Sequence, residues 1–338
     1  MTRHQNNFDF VRLLAATLVL VSHHFAIHGL PEPALLGASW GGISVQVFFT
    51  ISGYLIAESW FRDPSFTRFL WRRVLRIWPG LVVMVMFTVL VLGPLVSSWH
   101  MADYFTSPQT WAYLKALKVF ALGGPLPGVF EGMPQDAVVN ASLWTLPVEV
   151  RWYLILAVLG AIGLLRRSYT LPVVLMGLVI YIQTQWAPGE RQDTMVLGQF
   201  FLIGAVLNRT QQIWIPRAAW LMPAAVFTGV ILAFCEAFSW AQLLTVSAVA
   251  VGVGRTATPY LSRFGRYGDF SYGVYIYAFP IQQAVTQWIG HDAEWKFWLG
   301  LALSLGVTYA MAVLSWHFIE KRALSFKPAS RTQTASFL

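Results

Sequence analysis

Residues 8–29 read FDFVRLLAATLVLVSHHFAIHG, an apolar run with Arg12 near its start and His23 eleven positions later. Roughly 20 apolar residues suffice for a helix to cross a bilayer, and a charge at the centre of such a helix costs about 2.5–3.5 kcal/mol. Polar groups in that setting are kept by a partner or by a task. Eleven residues of α-helix put Arg12 and His23 roughly 16 Å apart along the axis and about 20° apart around it, so both look into one interior. That spacing suits a polar path through the membrane. The length of the run, Arg12, the three histidines and the lack of a small-residue cleavage site favour a retained span over a signal peptide.

The rest of the chain agrees. Of its 338 residues 57% are hydrophobic and only 11% are charged, against about 25% charged in soluble domains. The expected class is an all-α, polytopic integral membrane protein with about ten transmembrane helices. They are expected near 8–28, 41–60, 78–97, 144–165, 171–187, 194–208, 217–236, 240–254, 268–288 and 296–318. With both termini cytoplasmic, 18 of the 23 basic residues fall on the inner side, as the positive-inside rule requires. The net charge of +8 is therefore a topology signal and not a sign of nucleic-acid binding. A single cysteine, Cys235, excludes an intramolecular disulfide and a cysteine metal cluster. The expected organisation is one membrane domain over 1–326 and a polar tail over 327–338. The long segment 98–143, with a short helix expected around Gln109–Leu122, either covers a site or is a surface loop.

Several polar residues inside the apolar runs are candidates for chemistry. An imidazole titrates near neutrality, so His23 is a candidate general base for a hydroxyl; the alternative is an interior histidine bonded to a neighbouring helix. His24 and His28 share a helix face, but no second cluster completes a metal site, and no metal is expected. Glu149 is a candidate orienting carboxylate for His23, or a local partner of Arg151 or Arg191. Arg72, Arg73 and Arg76 form a cluster suited to bidentate phosphate contacts, or to anchoring at the inner leaflet. Gln46, Ser52, Tyr275 and Tyr277 are candidates for lining an acceptor channel, with interhelical hydrogen bonding or packing as the alternatives. Pro280 is expected to free backbone groups in its helix. Glu320 is expected to pair with the basic residues beside it at the inner surface.

In order and spacing, Arg12-x10-His23, Phe48-Phe49-x-x-Ser52-Gly53, Arg72-Arg73-x-x-Arg76-Ile-x-Pro79, Ser142-Leu-Trp-Thr-Leu-Pro-Val-Glu149, Ser271-Tyr-Gly-x-Tyr275 and Trp316-x-x-Ile-Glu320-Lys321 resemble acyltransferase family 3. These are membrane-bound O-acyltransferases that act on surface polysaccharides. The resemblance implies transfer of an acyl group, usually acetyl from acetyl-CoA, to a hydroxyl of a glycan or lipid-linked saccharide, in the inner membrane of a bacterium. It implies that His23 is catalytic, that Arg12 supports it, and that Arg73 and Arg76 help receive the donor, with no bound cofactor. Gln46, where relatives often carry Asp, and Ala278, where they often carry His, depart from the pattern. A transporter or flippase for a glycan precursor is the alternative from another class, since a polar path through a bundle also fits transport.

Overall fold

The computed structural model describes residues 6–121, 123–135, 138–184 and 193–328. The chain begins with α1 (Phe8–Ile27). A small hairpin, Ala34–Leu35 paired with Ala38–Ser39, follows; Leu36 and Gly37 at its tip both have positive φ, as a two-residue hairpin turn demands. Ser39 then caps α2 (Trp40–Arg62) by accepting from the Gly42 N–H at 3.1 Å. The remaining long helices are α3 (Phe66–Val96), α4 (Ala141–Ala161), α5 (Thr170–Thr184), α6 (Asp193–Arg209), α7 (Gln211–Phe234), α8 (Phe238–Arg255), α9 (Ser271–Ile289) and α10 (Glu294–Leu324). Six of them, α1, α2, α3, α4, α7 and α10, are long and apolar enough to cross a membrane by length and composition.

The bundle is centred on α9, whose residues Ser271–Thr286 are buried without a break. Around it pack α1, α3 and α10, with α2 held against α1 and α6. At the other extreme, α7 from Ala218 to Phe234 buries little but Gly229 and leaves Trp220, Phe227 and Phe234 exposed on an all-round apolar surface, as a helix facing lipid would. Close approach of α2 to α6 needs two glycines. A Cβ on Gly53 would stand 1.8 Å from the Phe201 carbonyl oxygen, and one on Gly204 would stand 2.0 Å from that of Thr50.

Three expectations change. The third helix starts at Phe66, not near residue 78, because three of its four arginines, Arg68, Arg72 and Arg76, are neutralised across or beside the helix and Pro79 is accommodated inside it. The segment after α3 is not a surface loop. Tyr104, Tyr113 and Phe130 are buried, the Tyr104 hydroxyl donates to the Val89 carbonyl at 3.0 Å, and the Trp78 indole donates to Leu117 at 3.1 Å, so the chain folds back along α3. The helix expected around 109–122 is a turn, Pro108–Ala112, continued by a 3-10 stretch, Tyr113–Lys118. The expectation for Pro280 holds in a specific form: the ring removes an N–H partner from the carbonyl four residues back, and that carbonyl, Ile276, accepts from Asn140 Nδ2 at 2.9 Å.

The turn between α2 and α3 is held by Asp63, which is 2% exposed. Arg68 grips it with two N–H groups, at 3.0 and 2.5 Å, and Arg72 donates to it as well. The Arg68 hydrogen bonds are the leading cause that holds the carboxyl at about 2, below its ordinary value. A depressed carboxyl pKa contributes stability above the unfolded value, near 4, that is lost as pH falls through the folded one. An Asp63→Asn protein should therefore melt earlier than wild type at neutral pH, with the gap closing between about pH 4 and pH 2, as thermal melts across that range would report. Gly53→Ala should lower stability by about 1–3 kcal/mol, measured by the same melts, while Gly177→Ala, in a helix with open space around it, should not lower it.

Candidate active site

Four elements meet around one carboxylate. Asp269, just ahead of α9, accepts from Arg12 Nη1 of α1 at 2.6 Å and from Arg76 Nη2 of α3 at 2.7 Å. Its second oxygen accepts from Ser271 Oγ at 2.6 Å. Arg76 also reaches Glu320 near the end of α10, at 3.4 Å, and Glu320, 2% exposed, is held from behind by Ser315 Oγ at 2.9 Å. Charges removed from water are tolerated only when paired and hydrogen-bonded; here each guanidinium meets a carboxylate carried by another helix.

This network forms one wall of a cavity of about 330 Å³. The opposite wall comes from α2 and α4. Glu149 accepts from Ser52 Oγ at 3.1 Å and from the Tyr153 hydroxyl, which itself lies 3.0 Å from Ser52 Oγ. Between the walls stands Arg73, with its guanidinium over the rings of Phe69 and Tyr153 at 5.7 and 5.9 Å. Its Nε is buried with no hydrogen-bond partner, and among the described residues it makes no ion pair. Phe48, Thr145 and Tyr275 also line the cavity; the two rings lie 5.6 Å apart and the Thr145 and Tyr275 hydroxyls lie 2.7 Å apart.

His23 does not line this cavity. Its ring meets Phe279 edge-on at 5.2 Å, and its Nδ1 is buried without a partner. Phe279 stands four residues, about one helical turn, after the cavity-lining Tyr275. Glu32 accepts from Ser22 Oγ, and Ser22 in turn accepts from the Gly41 N–H at 2.9 Å, which ties the loop to the helix beside His23.

The sequence comparisons decide the family. A family model described as an acyltransferase domain, of the acyltransferase 3 type, matches residues 5–317. The chain belongs to acyltransferase family 3. It is 34% identical to an O-acetyl transferase of Shigella phage Sf6 over 95% of this chain and 97% of that protein. It is 28% identical to nodulation protein 10 of Rhizobium leguminosarum bv. viciae over 96% of this chain and 94% of that protein. No solved structure matches it. The protein is therefore an O-acyltransferase.

Within the acyltransferase the expected site residues divide. Arg12, Ser52, Arg73, Arg76, Glu149 and Tyr275 line one cavity. Glu149 is not beside His23; it hydrogen-bonds Ser52 and Tyr153 on the arginine side, because α4 runs next to α3 with that face turned inward. Nor does it pair with Arg151, which points to Thr194, while Arg191 lies outside the described residues. Arg72 does not line the cavity, since Asp63 holds it at the α2–α3 turn. Gln46 takes the interhelical alternative: its Nε2 donates to Gln242 at 2.9 Å, and Gln242 donates on to the Leu36 carbonyl at 2.8 Å. Tyr277 packs against Phe87 at 6.1 Å and does not line the cavity. His24 turns the other way, with Nε2 2.9 Å from the Phe297 carbonyl.

Sequence reading missed the structural roles of Asp269, Glu320, Tyr153, Glu32 and Lys327. Glu320 pairs with Arg76 rather than with the adjacent basic residues. Glu32 was hidden in a loop, although its Pro31-Glu32-Pro33 setting was a signal of rigidity directly after the first helix. Asp269→Asn should leave Arg12 and Arg76 without their shared countercharge and lower stability by about 3 kcal/mol. Thermal melts of the purified protein, with Ser271→Ala as a milder control, measure that loss.

Proposed function

We propose that this acyltransferase moves an acetyl group from acetyl-CoA to a hydroxyl of a surface glycan or lipid-linked saccharide. We place it in the inner membrane of a bacterium with ten spans and both termini cytoplasmic. The observation that carries the donor assignment is Arg73: its neighbours Arg68, Arg72 and Arg76 are each held by a carboxylate, and it alone of the four stands uncommitted in a cavity. A planar guanidinium in that state suits a phosphate oxygen. With the nucleotide near Arg73, the pantetheine arm would follow the cavity towards Phe48 and Tyr275, and the thioester would stop short of His23. Movement of those two rings would complete the path.

On this reading His23 takes the proton of the acceptor hydroxyl as its oxygen attacks the thioester carbonyl. The C–S bond breaks, the acetyl group passes to the oxygen, and the coenzyme A thiolate leaves and takes up a proton. In the two-step variant the imidazole itself receives the acetyl group before the acceptor does. Glu32, bonded to Ser22 beside His23, is the carboxylate on the histidine's side, while Glu149, Ser52 and Tyr153 shape the donor cavity. Phe48 and Tyr275 separate two compartments, so donor and acceptor can be supplied from opposite faces of the membrane.

His23→Ala should insert and fold as wild type does and lose acetylation by roughly 10²–10⁴-fold, read by mass spectrometry of surface glycans and by coenzyme A release from purified protein. Glu32→Gln should lower kcat by a smaller factor and leave the KM for acetyl-CoA in place. Acetylation by His23→Ala at the wild-type rate removes the reading. Transport of a glycan precursor with no acetyl-CoA turnover would establish the transporter alternative in its stead.

A further inference from the structure

The tail that sequence analysis set apart from the membrane domain begins inside the donor cavity. After α10 the chain makes a turn, and Leu324 and Lys327 return to line the same space as Arg12, Arg73 and Arg76. Lys327 is exposed on one side, at the cavity's mouth, and among the described residues it makes no ion pair. The charges around it are Arg72, Arg73 and Arg76 from α3 and Asp269 ahead of α9. Arg12, Glu149 and Tyr153 lie further along the cavity wall, and Glu320 sits behind Arg76. Three guanidiniums, Arg12, Arg73 and Arg76, thus face three carboxylates, Glu149, Asp269 and Glu320, and Lys327 adds a positive charge with no counterpart.

We propose that Lys327 is a donor-binding residue which, together with Arg73, holds a nucleotide phosphate of acyl-CoA at the cavity mouth. The proposal rests on the acyl-CoA reading above and names the residues that read the donor's charge. A flexible ammonium at the rim and a buried guanidinium deeper in are complementary: Arg73 offers a fixed planar fork, and Lys327 a mobile point charge that can close over the anion. Burial at the mouth, then the nearby Arg73 and Arg76, draw Lys327 from 10.5 down to about 8. A bound phosphate dianion would restore its proton. Affinity should therefore be level below about pH 8 and fall above it, by up to roughly tenfold per pH unit until the ordinary lysine range is reached.

The test measures binding of coenzyme A, dephospho-coenzyme A and pantetheine to the purified full chain in a neutral detergent, by calorimetry, for wild type, Lys327→Gln and Lys327→Arg. Lys327→Gln should weaken coenzyme A roughly tenfold or more, leave pantetheine unchanged, and raise the KM for acetyl-CoA with kcat preserved. Lys327→Arg should keep the affinity and remove the fall above about pH 8. Equal coenzyme A affinity in wild type and Lys327→Gln at pH 7.5 overturns the proposal, as does a Lys327→Gln protein altered only in the anionic lipid that copurifies with it. If wild type itself binds no coenzyme A, the acyl-CoA reading fails instead, so the two failures are distinct. Because Lys327 is exposed beyond the last helix, its replacement leaves the packed bundle intact.

Discussion

The bundle depends on Asp269 standing between Arg12 and Arg76. One carboxylate accepts from two guanidiniums carried by two helices, at 2.6 and 2.7 Å, and Arg76 extends the link to Glu320 on α10. In a medium that gives little solvation, these charges are tolerable only together, so the pairing sets how α1, α3, α9 and α10 meet. It also spends the positive charge of Arg12 and Arg76 on structure. That leaves Arg73 as the guanidinium available to a ligand, although residue type and spacing make the three arginines look alike.

The same division of labour recurs at the carboxylates. Asp63 and Asp269 serve arginines, Glu149 serves a serine and a tyrosine, and Glu32 accepts from Ser22, the residue before His23. His23 stands outside the cavity that the arginines line, against Phe279, one helical turn of α9 beyond the cavity-lining Tyr275. Phe48 and Tyr275, 5.6 Å apart, both line that cavity. Gln46, committed to Gln242 and through it to the hairpin at Leu36, instead ties the loop that bears Glu32 to α8.

Much of this was legible in residue order alone. Apolar runs located the helices to within several residues, because a membrane helix must be apolar along its whole length. The long third helix escaped because Arg68–Arg76 reads as a loop when its countercharges, Asp63 and Asp269, lie elsewhere in the chain. The family, and with it acyl transfer to a hydroxyl, was readable from the order of short motifs, which the match over residues 5–317 bears out.

The sequence by itself determined the class of protein, the helices and the chemical types on offer: an imidazole and a guanidinium on one face of the first helix, a cluster of arginines, a carboxylate after Ser142-Leu-Trp. Periodicity carries that information because it is local. Only the tertiary structure decided which charge meets which. It joined Asp269 to Arg12 across 257 positions, moved Glu149 away from His23, brought Glu32 towards it, and returned Lys327 to the cavity. Pairing of charges across helices minimises desolvation over the whole bundle, a global quantity that no single window of sequence contains.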